Sequence, residues 1–346
     1  MPPAEQLTER ERRVLEAVVQ TYIETAEPAG SQTIARRFGL GVSPATIRGT
    51  MSDLEDKGYL FHPHTSAGRV PTDRAYRVYV DGLMRLAPPS DEERATIRQE
   101  MAQRARSTLE EILRRAAQVL GVLTQELGVA VAPAFDYIVL DRLELVAVSS
   151  ERLLLVFNLQ GGIVRTIFVQ VPASLPAASI QRVTQILNDR LAGLTLREVR
   201  DSLIERLRDA DTPPGGRELL NIFIAERDGI FDLNANGERV LLGSAQMLAE
   251  QPEFASNSGM RGLLELTERH DLLRRALEGR RNAGLSITIG GENVDARLSG
   301  FTLVTSSYDA GGLRGVIGVM GPTRMPYDKI IGLVEHTSRL LEGLLE

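Results

Sequence analysis

Ser43, Thr46, Arg48 and Ser52 are the residues whose types and spacing could do chemistry. They recur within the stretch SPATIRGTMSDLEDKGYLFHPHTSAGR, residues 43–69. Ser-Pro reads as a helix cap followed by a first-turn proline, so the spacing predicts a helix that starts at Ser43. Ile47, Met51 and Leu54 recur at helical intervals and form its apolar stripe. The opposite face is Ala45, Gly49 and Ser52, flanked by Thr46, Arg48 and Asp53. It is small, polar and almost free of bulk, so it can lie close against the floor of a DNA groove. Hydroxyls and a guanidinium on such a face bond to base edges or to phosphates. Arg48 can pair with a guanine edge or hold a phosphate, and its structural alternative is an intrahelical pair with Ser52 or Glu55.

A reading helix needs elements to hold it. Thr8 and Glu11 have capping-box spacing. Val14, Leu15, Val18, Val19, Tyr22 and Ile23 follow on one face, predicting a first helix to about Thr25. Residues 27–30 break it. Ser31 is expected to cap a short second helix carrying Ile34, Ala35 and Phe38, and Ser31 with Gln32 at its start suits a phosphate. Residues 39–42 form a glycine-containing turn before Ser43, the spacing of a helix-turn-helix. Gly58 ends the third helix. Tyr59-Leu60-Phe61 is strand-like, and residues 62–69 form a loop rich in turn residues. A hairpin after the third helix completes a winged helix-turn-helix. His64, Ser66 and Arg69 would form the wing and touch backbone or minor groove.

The 346-residue chain carries a net charge of −6, so nothing attracts it globally to nucleic acid. Between Ser31 and Arg77, however, seven cations face four anions. There is no cysteine, which excludes disulfides, thiolate metal sites and cysteine nucleophiles. No long apolar run or signal-peptide pattern is present, so a cytoplasmic location is expected. His62 and His64 lie too far from further ligands to suggest a metal. Gly315, Gly318 and Gly321 mimic a phosphate loop but lie inside a Val/Ile strand pattern, so they read as packing glycines. No cofactor is expected. An enzyme is not expected either, since no nucleophile–base constellation occurs.

Beyond residue 70 the pattern predicts a helix through Tyr76, Tyr79 and Met84, and a linker at residues 87–90. One long amphipathic stretch follows, from Asp91 to about Leu127. Strands are predicted at residues 137–149, 152–159 and 163–171. A mostly helical block from about 176 to 279 includes a single helix over residues 262–277. Strands return at 285–289, 300–307 and 313–320, and a helix closes the chain at 327–345. Strands, then helices, then strands again suggest an α+β domain interrupted by an insertion.

Several segments resemble the bacterial heat-inducible transcription repressor HrcA family. They are residues 42–48 (VSPATIR), 53–55, 57–60, 63–72 (PHTSAGRVPT), 76–81 (YRVYVD) and, near the end, Gly321-Pro322-Thr323-Arg324-Met325. The resemblance implies an α+β multidomain fold: a winged helix-turn-helix at 1–87, a discontinuous GAF-like α/β domain at 90–171 and 282–346, and an inserted, mostly helical dimerisation domain at 172–281. It implies a homodimeric repressor of chaperone operons on an inverted-repeat operator, with the GroE chaperonin as co-regulator. The candidate DNA-binding set is then Ser31, Gln32, Ser43, Thr46, Arg48, Gly49, Ser52, His64, Ser66 and Arg69. Two departures stand out. Gly49 replaces the usual Asn, a natural reader of adenine, and Pro326-Tyr327-Asp328 replaces Asp-Tyr-Pro. A different reading of the same chain is a winged-helix regulator whose GAF-like domain senses a small molecule.

Overall fold

The structure, a computed structural model, describes residues 7–63, 68–102, 109–133, 135, 138–172, 175–212, 215–231, 240–310 and 313–345. The architecture is mixed α/β, and the chain divides into two compact units. The first unit comprises residues 1–131, 240–307 and 316–340, and the second comprises 132–239, 308–315 and 341–346.

The first unit begins with a helical head. Helix α1 (Glu9–Thr25) starts at the predicted capping box, with Thr8 Oγ1 accepting from the Glu11 amide and the Glu11 carboxylate accepting from the Thr8 amide. It stops at Ala26 in the left-handed conformation. Helix α2 (Ser31–Phe38) is capped by Gly30 rather than by Ser31, which is the first helical residue. Helix α3 (Pro44–Asp56) follows the turn, and Ser43 Oγ accepts from the Thr46 amide. Strands β1 (Leu60–Phe61) and β2 (Val70–Pro71) pair antiparallel. Leu15, Val18, Ile34, Ile47, Leu54 and Tyr59 are buried and knit these elements together. Helix α4 (Asp73–Val78) then runs into a π-helical turn at Tyr79–Leu83, which the periodicity did not reveal.

The long amphipathic stretch is two helices, α5 (Asp91–Ala102) and α6 (Leu109–Thr124), and a strand, β3 (Leu127–Val131), begins where the stretch is expected to end. The chain then enters the second unit. Strands β4 (Leu140–Ser149), β5 (Arg152–Leu159) and β6 (Ile163–Gln170) form an antiparallel meander. Helices α7 (Ala177–Leu191), α8 (Leu196–Leu207), α9 (Gly216–Ala225) and α10 (Arg227–Phe231) complete it. In β5, Leu153, Leu155, Phe157 and Leu159 point inward and share a core with Val183 and Leu187 of α7. At the outer edge of the meander the Asn188 amide pairs with both backbone groups of Leu143, accepting from its N–H at 2.7 Å and donating to its carbonyl at 2.8 Å. Leu140 is bonded in the same way by the backbone of Gly193 and Leu194.

The two compact units divide the chain at other residues than the expected insertion, 172–281. The meander cannot be parted from α7–α10, because its only buried face is the one those helices share. Residues 240–281, by contrast, return to the first unit. There β7 (Val240–Leu242) pairs with β3. Short helix α11 (Gln246–Ala249) follows, then α12 (Asn257–Glu268) and α13 (His270–Glu278), which divide the single helix expected over 262–277. Strands β8 (Leu285–Ile289), β9 (Phe301–Ala310) and β10 (Leu313–Pro322) complete a five-stranded sheet in the order β7-β3-β10-β9-β8, and α14 (Tyr327–Leu345) closes the chain.

The β10 glycines are packing positions. A Cβ at Gly318 would fall 2.2 Å from the Val304 carbonyl oxygen, and one at Gly321 would fall 2.1 Å from Glu126 Oε2. Glu126 is itself buried and accepts from Gln251 Nε2 at 3.0 Å. Among the described residues no helix is long and apolar enough to cross a membrane.

Candidate nucleic-acid interface

The outward face of α3 is as bare as its residue types require. Ser43, Ala45, Arg48, Gly49 and Ser52 are exposed, while Ile47, Met51 and Leu54 are buried against the rest of the head. A Cβ at Gly49 would have no neighbour within 4 Å. The Arg48 guanidinium has no ion pair or hydrogen bond among the described residues, so neither intrahelical alternative is realised. Glu55 is unavailable to it because that carboxylate is already committed elsewhere. Ser43 and Thr46 are linked to each other at 3.0 Å across the first turn, and Thr46 is half-buried.

Both arms of the hairpin are tied to the C-terminal end of α3 through Glu55. His62 Nδ1 lies 3.0 Å from Glu55 Oε1, and Arg69 Nη2 lies 2.7 Å from Glu55 Oε2. This corrects the expectation for Arg69. Its side chain is only 13% exposed and is paired to Glu55, so it braces the hairpin instead of reaching outward. His64 and Ser66, the other two expected wing residues, lie outside the described residues. Gly68 is fixed by sterics. Arg69 and Ala29 exchange backbone hydrogen bonds at 2.8 and 2.9 Å, and a Cβ at Gly68 would fall 2.3 Å from the Ala29 carbonyl oxygen. The α1–α2 connection thus serves as a third pairing partner for the hairpin, which no local pattern in the sequence signals.

Further contacts lock α3 to its neighbours. Lys57, at its end, reaches Glu11 at the start of α1 at 2.6 Å. Burial works against the Glu11 carboxylate, but the Lys57 ammonium and the bonds from Thr8 outweigh it and hold the carboxyl below its ordinary range. Arg74 donates to the Lys57 carbonyl at 2.8 Å and stacks over the Tyr59 ring. Ser31 is buried, leaving little of its side chain to meet a phosphate, whereas Gln32 beside it is exposed.

The head also rests on the sheet of its own unit. Arg77 of α4 forms a fork onto Glu292 and donates to the Ile287 carbonyl at 2.8 Å, and Asp73 accepts from the Gly291 amide at 2.8 Å. Arg324, before α14, pairs with Glu253 at 2.6 Å and donates to the carbonyl of Ile23 in α1 at 2.8 Å.

Comparison with known proteins bears on this arrangement. The family model described as "HrcA protein C terminal domain" matches residues 110–331. The heat-inducible transcription repressor HrcA of Chlorobium phaeobacteroides (strain BS1) is 41% identical over 349 residues, covering 98% of both chains. The chain belongs to the HrcA family. The HrcA repressor of Geobacter sulfurreducens is 35% identical over 98% of both chains. A solved structure titled as a hypothetical protein at 2.2 Å resolution matches with a TM-score of 0.59 over 98% of this chain and 99% of its own, at 24% identity, and so shares the fold. Membership of a repressor family settles that the chain is not an enzyme. Gly49 is therefore a feature of α3 in a member of the HrcA family and not a sign of an unrelated protein.

Proposed function

We propose that this chain is a dimeric repressor of heat-shock chaperone operons that reads an inverted-repeat operator through α3. The observation that carries this reading is the α3 face itself: exposed, unobstructed at Gly49, and holding in Arg48 a guanidinium that no group among the described residues engages. A surface helix with a free cation and small neighbours is what a major groove admits. In this reading the head is a winged helix-turn-helix, and Gln32, Ser43, Thr46, Arg48, Gly49 and Ser52 line its DNA contact. Ser31 would act through its backbone amide at the start of α2. The five-stranded part of the first unit is the GAF-like domain.

One head reads only a few base pairs, and pairing two copies multiplies that specificity and sets half-site spacing. The second unit supports this. Val146, Val164 and Phe168 are exposed, and strand register places them on one face of the meander, a supply of apolar surface for a second copy. In this reading the repressor is released on heating and the GroE chaperonin restores its active form in the cytoplasm; the name heat-inducible transcription repressor carried by its relatives supports the heat response. The test is DNA binding at fixed salt, comparing the intact inverted repeat with the same repeat carrying one scrambled arm, each with and without chaperonin and ATP. Preference for the intact repeat is expected, as is a gain with chaperonin. Equal, weak binding to both duplexes would overturn the operator reading.

A further inference from the structure

Arg10 and Arg13 form a groove with no assigned role. Both are exposed, lie three residues apart in the first two turns of α1, and so share one face of that helix. With Glu9, Val14, Leu40 and Val42 they line a groove of about 240 Å³. Val42 directly precedes Ser43, the cap of α3, so the groove opens at the N-terminal end of the reading helix. Unpaired helix amides and the positive end of the helix dipole are found at such an end.

Most other cations of the head are engaged; Arg36 and Arg48 share with these two the lack of a partner among the described residues, but neither lines this groove. Lys57, Arg37, Arg69 and Arg77 are each neutralised by a carboxylate, and Arg74 caps a carbonyl while stacking on Tyr59. The guanidiniums of Arg10 and Arg13 engage no group among the described residues. One carboxylate, Glu9, shares the groove with both, so a positive charge is left over. Val14, Leu40 and Val42 give the aliphatic stems an apolar floor, which keeps the charged heads at the rim. Two guanidinium forks at a rim match the oxygens of a phosphodiester backbone.

We infer that Arg10 and Arg13 grip the DNA backbone beside the N-terminal end of α3, fixing the register of the reading helix without reading sequence. This rests on the DNA-binding reading above. Contacts of this kind add affinity that is equal on all sequences and depends on salt.

The test is the salt dependence of binding by the full-length protein, on both the intact and the scrambled repeat. The Arg10→Ala/Arg13→Ala chain is compared with the parent and with Arg208→Ala/Arg261→Ala, which removes two exposed arginines far along the chain that have no partner among the described residues. Each lost phosphate contact removes about 0.9 from the log–log slope, so the first double variant is expected to lose roughly 1.8. The loss should be the same on both duplexes, with melting temperature unchanged. An unchanged slope overturns the grip. So does an equal fall in the Arg208/Arg261 control, or a loss confined to the intact repeat. Because slopes are read on both duplexes, a parent that binds DNA without preferring the intact repeat refutes the operator reading and still decides the grip. A parent that binds neither duplex refutes both.

Discussion

Arg77 and Glu292, 215 residues apart in sequence, meet as a two-pronged pair, and the same guanidinium bonds the Ile287 carbonyl. One side chain of α4 thereby holds the turn after β8 at both ends. Arg77 is 15% exposed and Glu292 is 32% exposed, so each would be left poorly solvated without the other. Arg77→Ala is expected to lower unfolding free energy by roughly 2 kcal/mol. Arg77→Lys should lose a good part of that, since a point charge cannot span both oxygens. Urea unfolding of the two variants checks this, and a lysine variant as stable as the parent would show that the fork geometry contributes nothing.

Two glycines of the head should respond in opposite ways to alanine. Gly49 is exposed within a helix with open space around it, so Gly49→Ala is expected to stabilise the protein by about 1 kcal/mol. At Gly68 the new methyl group would collide with the Ala29 carbonyl and break the bridge to the hairpin, at a cost of about 2 kcal/mol or more. Thermal melts of both variants measure the contrast.

Substitutions at the open face of α3 should separate binding from stability. Arg48 engages no group among the described residues, so Arg48→Ala should leave unfolding within about 0.5 kcal/mol of the parent. It should nonetheless reduce operator preference by about 1–3 kcal/mol, if the guanidinium reads a base. Gly49→Asn should add discrimination in favour of adenine at one operator position, which selection from random duplexes would reveal. Identical selected sites for parent and Gly49→Asn would place residue 49 away from the bases.

Two carboxyls should give pH dependences of opposite sign. At Glu292 burial favours the neutral form, but the Arg77 fork and the Ile289 amide outweigh it and hold the carboxyl below its ordinary value of 4.5. Its stabilising contribution is therefore complete above that value and is lost as pH falls through the lowered one. At Glu126 burial prevails over the bond from Gln251 and the Arg324 charge, while Glu253 adds to it, and the carboxyl is pushed well above 4.5. Its folded form holds a proton that the unfolded chain has released, so stability falls as pH rises from 4.5 through the raised value. Glu126→Gln should melt higher than the parent at pH 8, with the difference closing toward pH 4.5. A difference constant across that range would contradict the assignment.

The sequence was most legible where structure is local. Thr8 with Glu11, Ser43 before Pro44, and Gly58 after Lys57 each announce a helix end through a few neighbouring atoms. Where α6 ends, the signal fails, because the residue in the left-handed conformation is Gln125 and not a glycine. Without that mark, the helical stretch reads on to about Leu127, which is instead the first of five buried residues in a strand. The setting of Arg69 is hidden for a different reason. An arginine in a turn-rich loop looks free until folding brings Glu55 beside it. The division into two compact units likewise follows which strands pair, a property that an alternating pattern shared by every strand cannot carry.

The Asn188 amide stands in for a neighbouring strand at Leu143, and the loop at Gly193 and Leu194 does the same at Leu140. A bare sheet edge is a template on which another chain can add a strand, and the hazard grows as heat loosens surrounding proteins. Here the beginning of β4 has its hydrogen-bonding groups spoken for from within. A protein whose family answers to heat thus keeps part of its most recruitable backbone closed to misfolded chains, with one side-chain amide and one loop as the seal.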